Sequence, residues 1–292
     1  MSKITLIYAG RTIEIRRGYD SDKVIDYRAH RTCNEASVPE EIILRKNKVA
    51  AEQKLTRLLN TNFDANCFHV ILTYPQETEP LPEEANEFFK KFLRRLRYQF
   101  VNAQKSTPDV PAMMYVYASE LKLELDDDEF EKWMAAIVVC SAKNGVSVKD
   151  LIEESIVKKE FNNRIHHHLI INAIPGVDMM ALFKKLWTHG LVKVVQLKSD
   201  GQYRKLAEYI IKETDKTFRL GMAGMKKRFQ TSRGLKKPIV KKIDGAETDF
   251  PADPVIPDGY YLDYETLFNG LHPIYPERKV QKYTLIKLSL EE

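Results

Sequence analysis

The sequence is poor in cysteine and has no long apolar run. Its three cysteines, Cys33, Cys67 and Cys140, are widely spaced and form no CxxC pair, so they indicate neither a disulfide framework nor a zinc knuckle. Apolar runs such as MAAIVVC at 134–140 are far shorter than the roughly 20 residues that cross a bilayer. The first residues, MSKITLIYAGRTIEIRR, lack the apolar core of a signal peptide. We therefore expect reduced cysteines, a cytoplasmic location and no membrane partner.

A phosphate-binding loop for nucleotides is also missing. No GxxxxGK[ST] motif occurs in the 292 residues, so we expect neither a nucleotide cofactor nor helicase activity in this chain. Hydrophobic residues make up 43% and charged residues 30% of the sequence, which is typical of a folded protein of one or two domains. These proportions argue against a disordered or membrane-spanning chain.

Positive charge is concentrated in one stretch. The formal net charge of +5 is modest, but residues 212–242 hold eleven Lys and Arg side chains against two carboxylates. Such a block is either a phosphate-binding surface or a solvated segment, and charge alone does not separate these two interpretations.

Apolar periodicity predicts strands interleaved with helices. A short hairpin begins the chain, and a helix follows from about residue 40 to Asn62. Further strands are predicted at 68–75, 113–122, 164–172 and 191–197, and further helices at 81–100, 179–187 and 202–213. This order predicts an α+β fold in which a central antiparallel β-sheet is flanked by helices.

The same pattern divides the chain into three segments. Residues 1–62 are predicted to form an N-terminal hairpin and helical arm, residues 63–240 the main domain, and residues 241–292 a C-terminal extension. The main domain contains an insertion at 121–163, whose acidic and apolar stretches predict a mostly helical element.

Three consecutive histidines lie in the strand RIHHHLIIN at 164–172. Because side chains alternate between the two faces of a strand, His166 and His168 point one way while His167 points the other. Two imidazoles about 7 Å apart along one strand can bind one cation if a neighbouring strand supplies a third ligand. Glu120, near the end of the preceding strand, is the candidate. Two histidines and one carboxylate suit Mg²⁺ or Mn²⁺ holding a phosphate, although ordinary packing of these histidines stays open at this point.

A tyrosine and a lysine lie one helical turn apart in YIIK at 209–212. In a helix, Tyr209 and Lys212 project from one face. A tyrosine hydroxyl with its ordinary pKa of about 10 is a poor nucleophile, and a nearby cation or a metal-activated phosphate corrects this. Alone, the YxxK spacing is more typical of an amphipathic packing residue.

These motifs occur in a distinctive order. The strand ending in LTYP, the sequence R-x-H-x-H-L, the W-x-x-G turn and the YxxK helix resemble the HUH endonuclease superfamily, specifically the rolling-circle replication initiators of plasmids and phages. The resemblance covers roughly residues 63–237 and includes FQTSRGLKKP at 229–238. It implies that His166, His168 and Glu120 are metal ligands. It also implies that Tyr209 is the nucleophile and that Lys212 assists it.

The resemblance implies a metal-dependent, site-specific DNA endonuclease and strand transferase. Tyr209 would attack single-stranded or hairpin origin DNA and form a 5′-phosphotyrosine intermediate, leaving a 3′-hydroxyl for a host DNA polymerase. A separate host helicase would open the duplex. Tyr203 lies six residues before Tyr209 and is not spaced like the paired nucleophiles of some phage enzymes, which favours a single-tyrosine mechanism.

The segment that follows the tyrosine helix contains five residues that are predicted to contact DNA. Arg228, Arg233, Lys236 and Lys237 would follow the phosphate backbone, and Phe229 could stack on an unpaired base.

Three alternatives stay open. Another HUH enzyme, a mobilisation relaxase or a single-tyrosine transposase, would share the site, but relaxases usually carry the tyrosine before the histidines and such transposases are usually shorter. A non-catalytic DNA-binding regulator would keep the fold without needing the full set of His, Glu and Tyr. An α+β protein whose histidines merely pack would bind no metal.

Overall fold

Two antiparallel five-stranded sheets organise the described part of the chain. This computed structural model describes residues 2–19, 40–158, 163–221, 227–244, 250–271 and 279–288. The chain divides into a first unit of residues 1–64, 198–207 and 236–292 and a second unit of residues 65–197 and 208–235. The predicted α+β class, with an antiparallel sheet and flanking helices, is confirmed.

The elements up to Glu213 follow the predicted order, and the strands after it were not predicted. In the described residues they are β1 (Ser2–Ala9), β2 (Thr12–Tyr19), α1 (Glu40–Asn62), β3 (Cys67–Thr73), α2 (Pro82–Ser106), β4 (Tyr115–Leu123), α3 (Asp127–Asn144), α4 (Val148–Val157), β5 (Asn163–Asn172), α5 (Met179–Leu186), β6 (Val192–Gln196), α6 (Arg204–Glu213), α7 (Asp215–Arg219), β7 (Gln230–Thr231), β8 (Ile239–Asp244), β9 (Tyr260–Leu271) and β10 (Lys279–Lys287). The four strands predicted between residues 68 and 197 lie within two residues of their predicted ends.

The first unit combines strands from both ends of the chain. Its sheet has the order β8-β1-β2-β10-β9, and every neighbouring pair is antiparallel. The predicted hairpin is present, with β1 and β2 paired from Ser2↔Tyr19 to Ala9↔Thr12. Residues 1–62 and 241–292 are predicted as separate segments, whereas their strands share one sheet around Ile15, Leu262, Tyr283 and Leu285.

The second unit is built on the sheet β6-β3-β5-β4-β7. One face of this sheet carries apolar side chains, including Val70, Leu72 and Leu169, which are fully buried. Helix α2 covers that face, because its residues at helical spacing, such as Phe89 and Phe92, are also fully buried. The opposite face carries His69, His166 and His168.

The insertion between β4 and β5 is helical, as predicted. Helices α3 and α4 pack Phe130 and Ile152 into the core of the second unit. Asp126 begins α3 with a capping box, in which its side chain accepts from the Glu129 amide while Glu129 accepts from the Asp126 amide. Helices α3 and α4 therefore take the place of the short turn that can join adjacent antiparallel strands such as β4 and β5.

Two further predictions concern cysteines and the membrane. Cys67 and Cys140 carry thiols rather than a disulfide, and Cys33 lies outside the described residues. Within the described ranges, no helix combines the length and the apolar character that crossing a membrane requires.

Glu14 is a buried carboxylate whose charge is neutralised by three cations. It accepts from Arg16 Nε at 2.7 Å and Arg57 Nε at 2.8 Å, and Lys282 Nζ lies 3.6 Å away. Burial alone would raise the pKa of this carboxyl, but the nearby cations hold it below its ordinary value of 4.5.

We predict that Glu14→Gln lowers the free energy of unfolding by about 2 kcal/mol at neutral pH, since it leaves three partly buried cations without their counter-charge. Because the folded pKa is depressed, this stabilisation is complete above pH 4.5 and is lost as pH falls through the lowered value. Urea unfolding of the wild type and of Glu14→Gln at several pH values measures this stabilisation, and the exposed Glu124→Gln is the control. A difference between wild type and Glu14→Gln that does not shrink in acid would contradict the assignment.

Candidate active site

The middle strand β5 presents its histidines to two different environments. It pairs with β3 and β4, so that His166 lies opposite Thr73 and Glu120, and His168 lies opposite Ile71 and Ala118. His166 and His168 share one face of the sheet with Glu120, whereas His167 lies on the face covered by α2. The alternation predicted from the sequence is therefore present.

His167 is a core residue. Ser119 Oγ lies 2.8 Å from its Nδ1, Tyr74 Oη lies 3.0 Å from its Nε2, and the Phe89 ring stacks on it at 4.5 Å between centroids. Tyr74 donates to the Ala85 carbonyl, so its oxygen accepts from His167 Nε2–H. Burial lowers the pKa of His167 to about 3, which keeps it neutral. This histidine is satisfied by packing and hydrogen bonds, and it is not available as a ligand.

On the other face, two histidines converge on one carboxylate. Glu120 Oε2 lies 3.1 Å from His168 Nε2 and 3.5 Å from His166 Nδ1. His69, on the neighbouring strand β3, extends the arrangement, because its Nε2 lies 3.3 Å from His168 Nδ1. The result is a continuous chain of contacts that runs from His69 through His168 to Glu120.

The charges along this chain follow from burial and hydrogen bonding. Burial alone would raise the pKa of Glu120, but hydrogen bonds from His166 and His168 lower it to about 2. Burial lowers the pKa of His69 to about 3, helped by the neighbouring His168 and Lys193. Glu120 is therefore ionised and His69 neutral. The simplest proton assignment has His69 Nε2–H donating to His168 Nδ1, and His168 Nε2–H donating to Glu120.

His69 is a member that the sequence analysis missed. It lies within the run FHVILT, where a single histidine in an apolar strand is more typical of packing. The available signal was its parity, since His69 shares a face with Ile71 and Thr73, the residues opposite His168 and His166. This parity places His69 beside the other histidines only when the pairing of β3 with β5 is known.

Tyr209 lies beside the cluster, on α6. Its ring centroid is 5.7 Å from that of His168 and 6.5 Å from that of His69, in both cases edge to face. The side chain remains 42% exposed, whereas His168 is 1% exposed. Burial raises the pKa of Tyr209, and the charges of Glu213 and Glu120 raise it further. The hydroxyl is therefore accessible to a ligand but protonated.

Lys212 and Tyr203 differ from Tyr209 in their surroundings. Lys212 is solvent-exposed one turn after Tyr209, and no contact joins it to the cluster within the described residues. Tyr203 is buried in the first unit, where its hydroxyl donates to the Lys198 carbonyl. Of the two tyrosines, only Tyr209 shares a face with the histidines.

The W-x-x-G motif supports the strand that ends in LTYP. Trp187 Nε1 donates to the Thr73 carbonyl at 3.2 Å, and a Cβ on Gly190 would collide with that same carbonyl oxygen. Glycine is therefore required by the close approach of two backbones. This packing fixes the end of β3, and Thr73 lies directly opposite His166.

The donor set has the chemistry of a divalent cation site but not yet its arrangement. Two imidazoles and a carboxylate suit Mg²⁺ or Mn²⁺, whose cis ligands lie roughly 3 Å apart in octahedral coordination. The separations from Glu120 are of that size, but they are hydrogen-bonding contacts. Among the described residues, no three His, Cys, Asp or Glu side chains are arranged to hold a metal ion. A cation would have to replace the proton between His168 and Glu120, and His69 would then accept from His168 Nδ1–H.

Three cations surround the cluster without belonging to the predicted site. Lys122 and Arg164 are exposed and lie directly opposite each other on β4 and β5, two residues beyond Glu120 and His166 on the same face. Lys193, on β6, is also exposed and helps to lower the pKa of His69. Like charges directly across a ladder are unfavourable, and an anion between them would remove that repulsion.

The predicted DNA-binding residues fall into two groups. Arg228 is buried, forms an ion pair with Asp215, and lies 4.4 Å from the centre of the Phe218 ring. Phe229 is also buried, so neither it nor Arg228 is presented to a DNA ligand in this structure. The remaining three, Arg233, Lys236 and Lys237, are exposed, and their role in DNA binding stays a prediction.

We predict that Mn²⁺ binds the wild-type protein, measured by calorimetry with and without single-stranded DNA. Glu120→Ala and His166→Ala should abolish binding, because each removes a ligand. His69→Ala should weaken it by about tenfold, because it removes the hydrogen-bond partner that orients His168. His189→Ala, which removes a histidine stacked on Phe88 outside the cluster, is the matched control. Equal Mn²⁺ affinity in the wild type and in Glu120→Ala would contradict the assignment of Glu120 as a metal ligand.

Arg228→Ala should act on stability rather than on DNA binding. Loss of the ion pair between the buried Arg228 and the partly buried Asp215, and of the contact with Phe218, should lower the free energy of unfolding by about 3 kcal/mol, measured in urea. Arg233→Ala removes an exposed arginine and should change the free energy of unfolding by less than about 0.5 kcal/mol. If Arg228→Ala unfolds like the wild type and instead weakens DNA binding, the side chain is a DNA contact.

Comparisons with known proteins find nothing similar to this chain. No protein-family model, no curated protein and no solved structure matches it. The resemblance to HUH endonucleases therefore rests on the motifs and on the side chains that the second sheet brings together.

Proposed function

We propose that the second unit is a metal-dependent DNA nicking and joining module of the HUH type, which initiates rolling-circle replication. The observation that carries this proposal is the convergence of Glu120, His166, His168 and Tyr209 at one face of one sheet. They come from β4, β5 and α6, and up to 89 residues separate them in the sequence. A core that needed only packing has no use for a buried carboxylate, two histidines and a half-exposed tyrosine in contact.

Tyr209 is the nucleophile in this proposal. Its hydroxyl oxygen attacks the scissile phosphorus, the bond from phosphorus to the 3′-oxygen breaks, and a 5′-phosphotyrosine forms. The proton that the phenol loses balances the proton that the 3′-oxygen gains, and the phosphodiester energy is kept for rejoining. The raised pKa of Tyr209 means that its proton must be removed during attack rather than beforehand.

The electrostatics of the site set what must assist the tyrosine. Glu120 and Glu213 both oppose the phenolate. A divalent cation held by His166, His168 and Glu120 would neutralise one of these charges and polarise the phosphate. Lys212 would compensate the other from the same helix, since it directly precedes Glu213 and lies one turn after Tyr209.

Access to the site is consistent with a single DNA strand. Burial increases from Tyr209 and His166, which remain partly exposed, to His168 and His69 inside. The scissile phosphate would therefore approach from the Tyr209 side, and the opposed cations Lys122 and Arg164 would bind a neighbouring phosphate. A strand must leave a duplex to fit such a site, so we expect a hairpin origin, a host helicase and a host DNA polymerase as partners.

One observation favours a second candidate, a DNA-binding regulator on the same fold. The carboxylate of Glu120 is already satisfied by His168 and His166, so the cluster is stable as a hydrogen-bonded unit. A regulator would keep this unit without binding metal and without using Tyr209 chemically. A relaxase or transposase would share the chemistry and differ only in its DNA substrate.

The deciding experiment looks for a covalent adduct. Purified protein is incubated with single-stranded oligonucleotides containing the presumptive origin, with Mn²⁺ or Mg²⁺, and analysed on a denaturing gel. We expect a metal-dependent protein–DNA adduct in the wild type and none in Tyr209→Phe, which keeps the ring packing against His168 but removes the attacking oxygen.

Tyr203→Phe is the matched control for this experiment. Its hydroxyl is buried, so the variant should form the adduct as the wild type does. No adduct in the wild type despite tight DNA binding would favour the regulator. An adduct that persists in Tyr209→Phe would keep the enzyme class and remove Tyr209 as nucleophile.

A further inference from the structure

A groove lies on the face of the second sheet opposite the histidine cluster. It encloses about 430 Å³ between α2, β4 and the short edge strand β7, and its lining includes Arg94, Arg97, Tyr115, Gln230 and Thr231. Tyr115 and Tyr117 have the opposite parity from Glu120 along β4, so their side chains lie on the α2 side. This volume is within the range of small-ligand sites.

One wall of the groove is positively charged. Lys90, Arg94 and Arg97 follow the spacing that brings helix residues onto one face, and all three line the groove. Lys90 is paired with Glu87 at 2.7 Å. The guanidinium groups of Arg94 and Arg97 are exposed. Within the described residues, neither of them makes a hydrogen bond or an ion pair. Two arginines in this position form a wall suited to phosphate oxygens, which a planar guanidinium binds with two hydrogen bonds.

The floor of the groove is aromatic and held in place. The Tyr117 ring packs on Phe89 at 4.8 Å between centroids, and the Tyr115 ring lies 6.1 Å from that of Tyr117. The Tyr115 amide donates to Ser232 Oγ at 3.0 Å, and its carbonyl accepts from the Ser232 amide at 2.8 Å. Tyr115 thus presents a half-exposed ring on a backbone whose amide and carbonyl are both hydrogen-bonded to Ser232, which is the form of a stacking platform.

We propose that this groove binds a segment of single-stranded nucleic acid, with an unpaired base stacked on Tyr115 and the adjoining phosphates on Arg94 and Arg97. A base inside a duplex cannot offer its face to a ring, so the aromatic floor selects a single strand over a double one. An acidic peptide would satisfy the arginines but would leave the ring unused. The groove goes beyond the proposed function, because it lies across the sheet from Tyr209 and needs neither metal nor cleavage.

The test measures binding of a fluorescein-labelled oligothymidylate to the full chain by anisotropy, at several salt concentrations. Arg94→Ala/Arg97→Ala should raise Kd by about tenfold and reduce the slope of log K against log salt by roughly 1.4, the value for two phosphate contacts to a single strand. The matched control is Arg95→Ala/Lys105→Ala, which removes two charges of α2 outside the groove lining. It should change Kd by less than about twofold, since exposed charges act weakly at a distance in salt.

The aromatic contact is tested separately. Tyr115→Leu should raise Kd by about fivefold or more, and Tyr115→Phe should restore wild-type binding, because stacking needs the ring and not the hydroxyl. A bromodeoxyuridine-containing oligonucleotide crosslinked to the wild-type protein should modify Tyr115, which requires no variant to fold.

Several results would overturn the inference. Equal losses in the two double variants would mean that α2 contributes only a diffuse positive field. Polyglutamate that competes as well as the oligonucleotide would identify an acidic protein partner instead. Crosslinks confined to the histidine face would also contradict it. Adduct formation at saturating DNA separates the two proposals, since Arg94→Ala/Arg97→Ala should retain it and Tyr209→Phe should lose it.

Discussion

The second unit depends on the two faces of β5 being different. This strand is hydrogen-bonded on both sides, so its register is fixed by β3 and β4 together. A slip of one residue would move His167 to the cluster and drive His166 and His168 into the apolar core under α2. The hydrogen bonds that join His167 to Tyr74 and Ser119 oppose such a slip, because they satisfy a buried imidazole in only one register. A core histidine therefore helps to hold its two neighbours in position.

On the histidine face, Glu120 is stabilised by its hydrogen bonds, while its charge disfavours the ionised form of Tyr209. A buried carboxylate is costly unless it is hydrogen-bonded, and Glu120 obtains its partners from two histidines on the adjacent strand. The same charge raises the pKa of Tyr209 and so opposes the attack that we propose for its hydroxyl. The arrangement is self-consistent as a hydrogen-bonded cluster, and it becomes suited to phosphate chemistry when positive charge enters it. This explains why one set of residues supports both a catalytic and a non-catalytic interpretation.

Much of this unit could be predicted from local pattern. The period of two along RIHHHLIIN separated His167 from its neighbours, and the apolar runs marked β3, β4 and β6 within two residues. Glu120 was predicted from strand order alone, and the structure brings it beside His166 and His168. His69 was missed because 99 residues separate it from His168, and no local pattern encodes which strands pair. The burial of Arg228 was missed for a related reason, since a basic block in a sequence does not reveal which cation forms an ion pair with a carboxylate of the fold, here Asp215.

The edge strands β8, in the first sheet, and β7, in the second sheet, were the least predictable elements. Every residue of β8 is exposed, so IVKKID has no buried face that marks it as a strand, and β7 has only two residues. Both strands exist because a partner strand supplies their hydrogen bonds, which is information that lies elsewhere in the chain.

The position of β10 has a consequence for how the protein is made. This strand is inserted between β2 and β9, so the first sheet lacks an interior strand until residue 287 has left the ribosome. The strands of the second sheet are complete by residue 231, and their pairing does not await the C-terminal segment. During synthesis the N-terminal hairpin must therefore remain with an open edge while the unit that carries the histidines can already fold, an order that exposes β2 to wrong partners for longer than any other strand of that sheet.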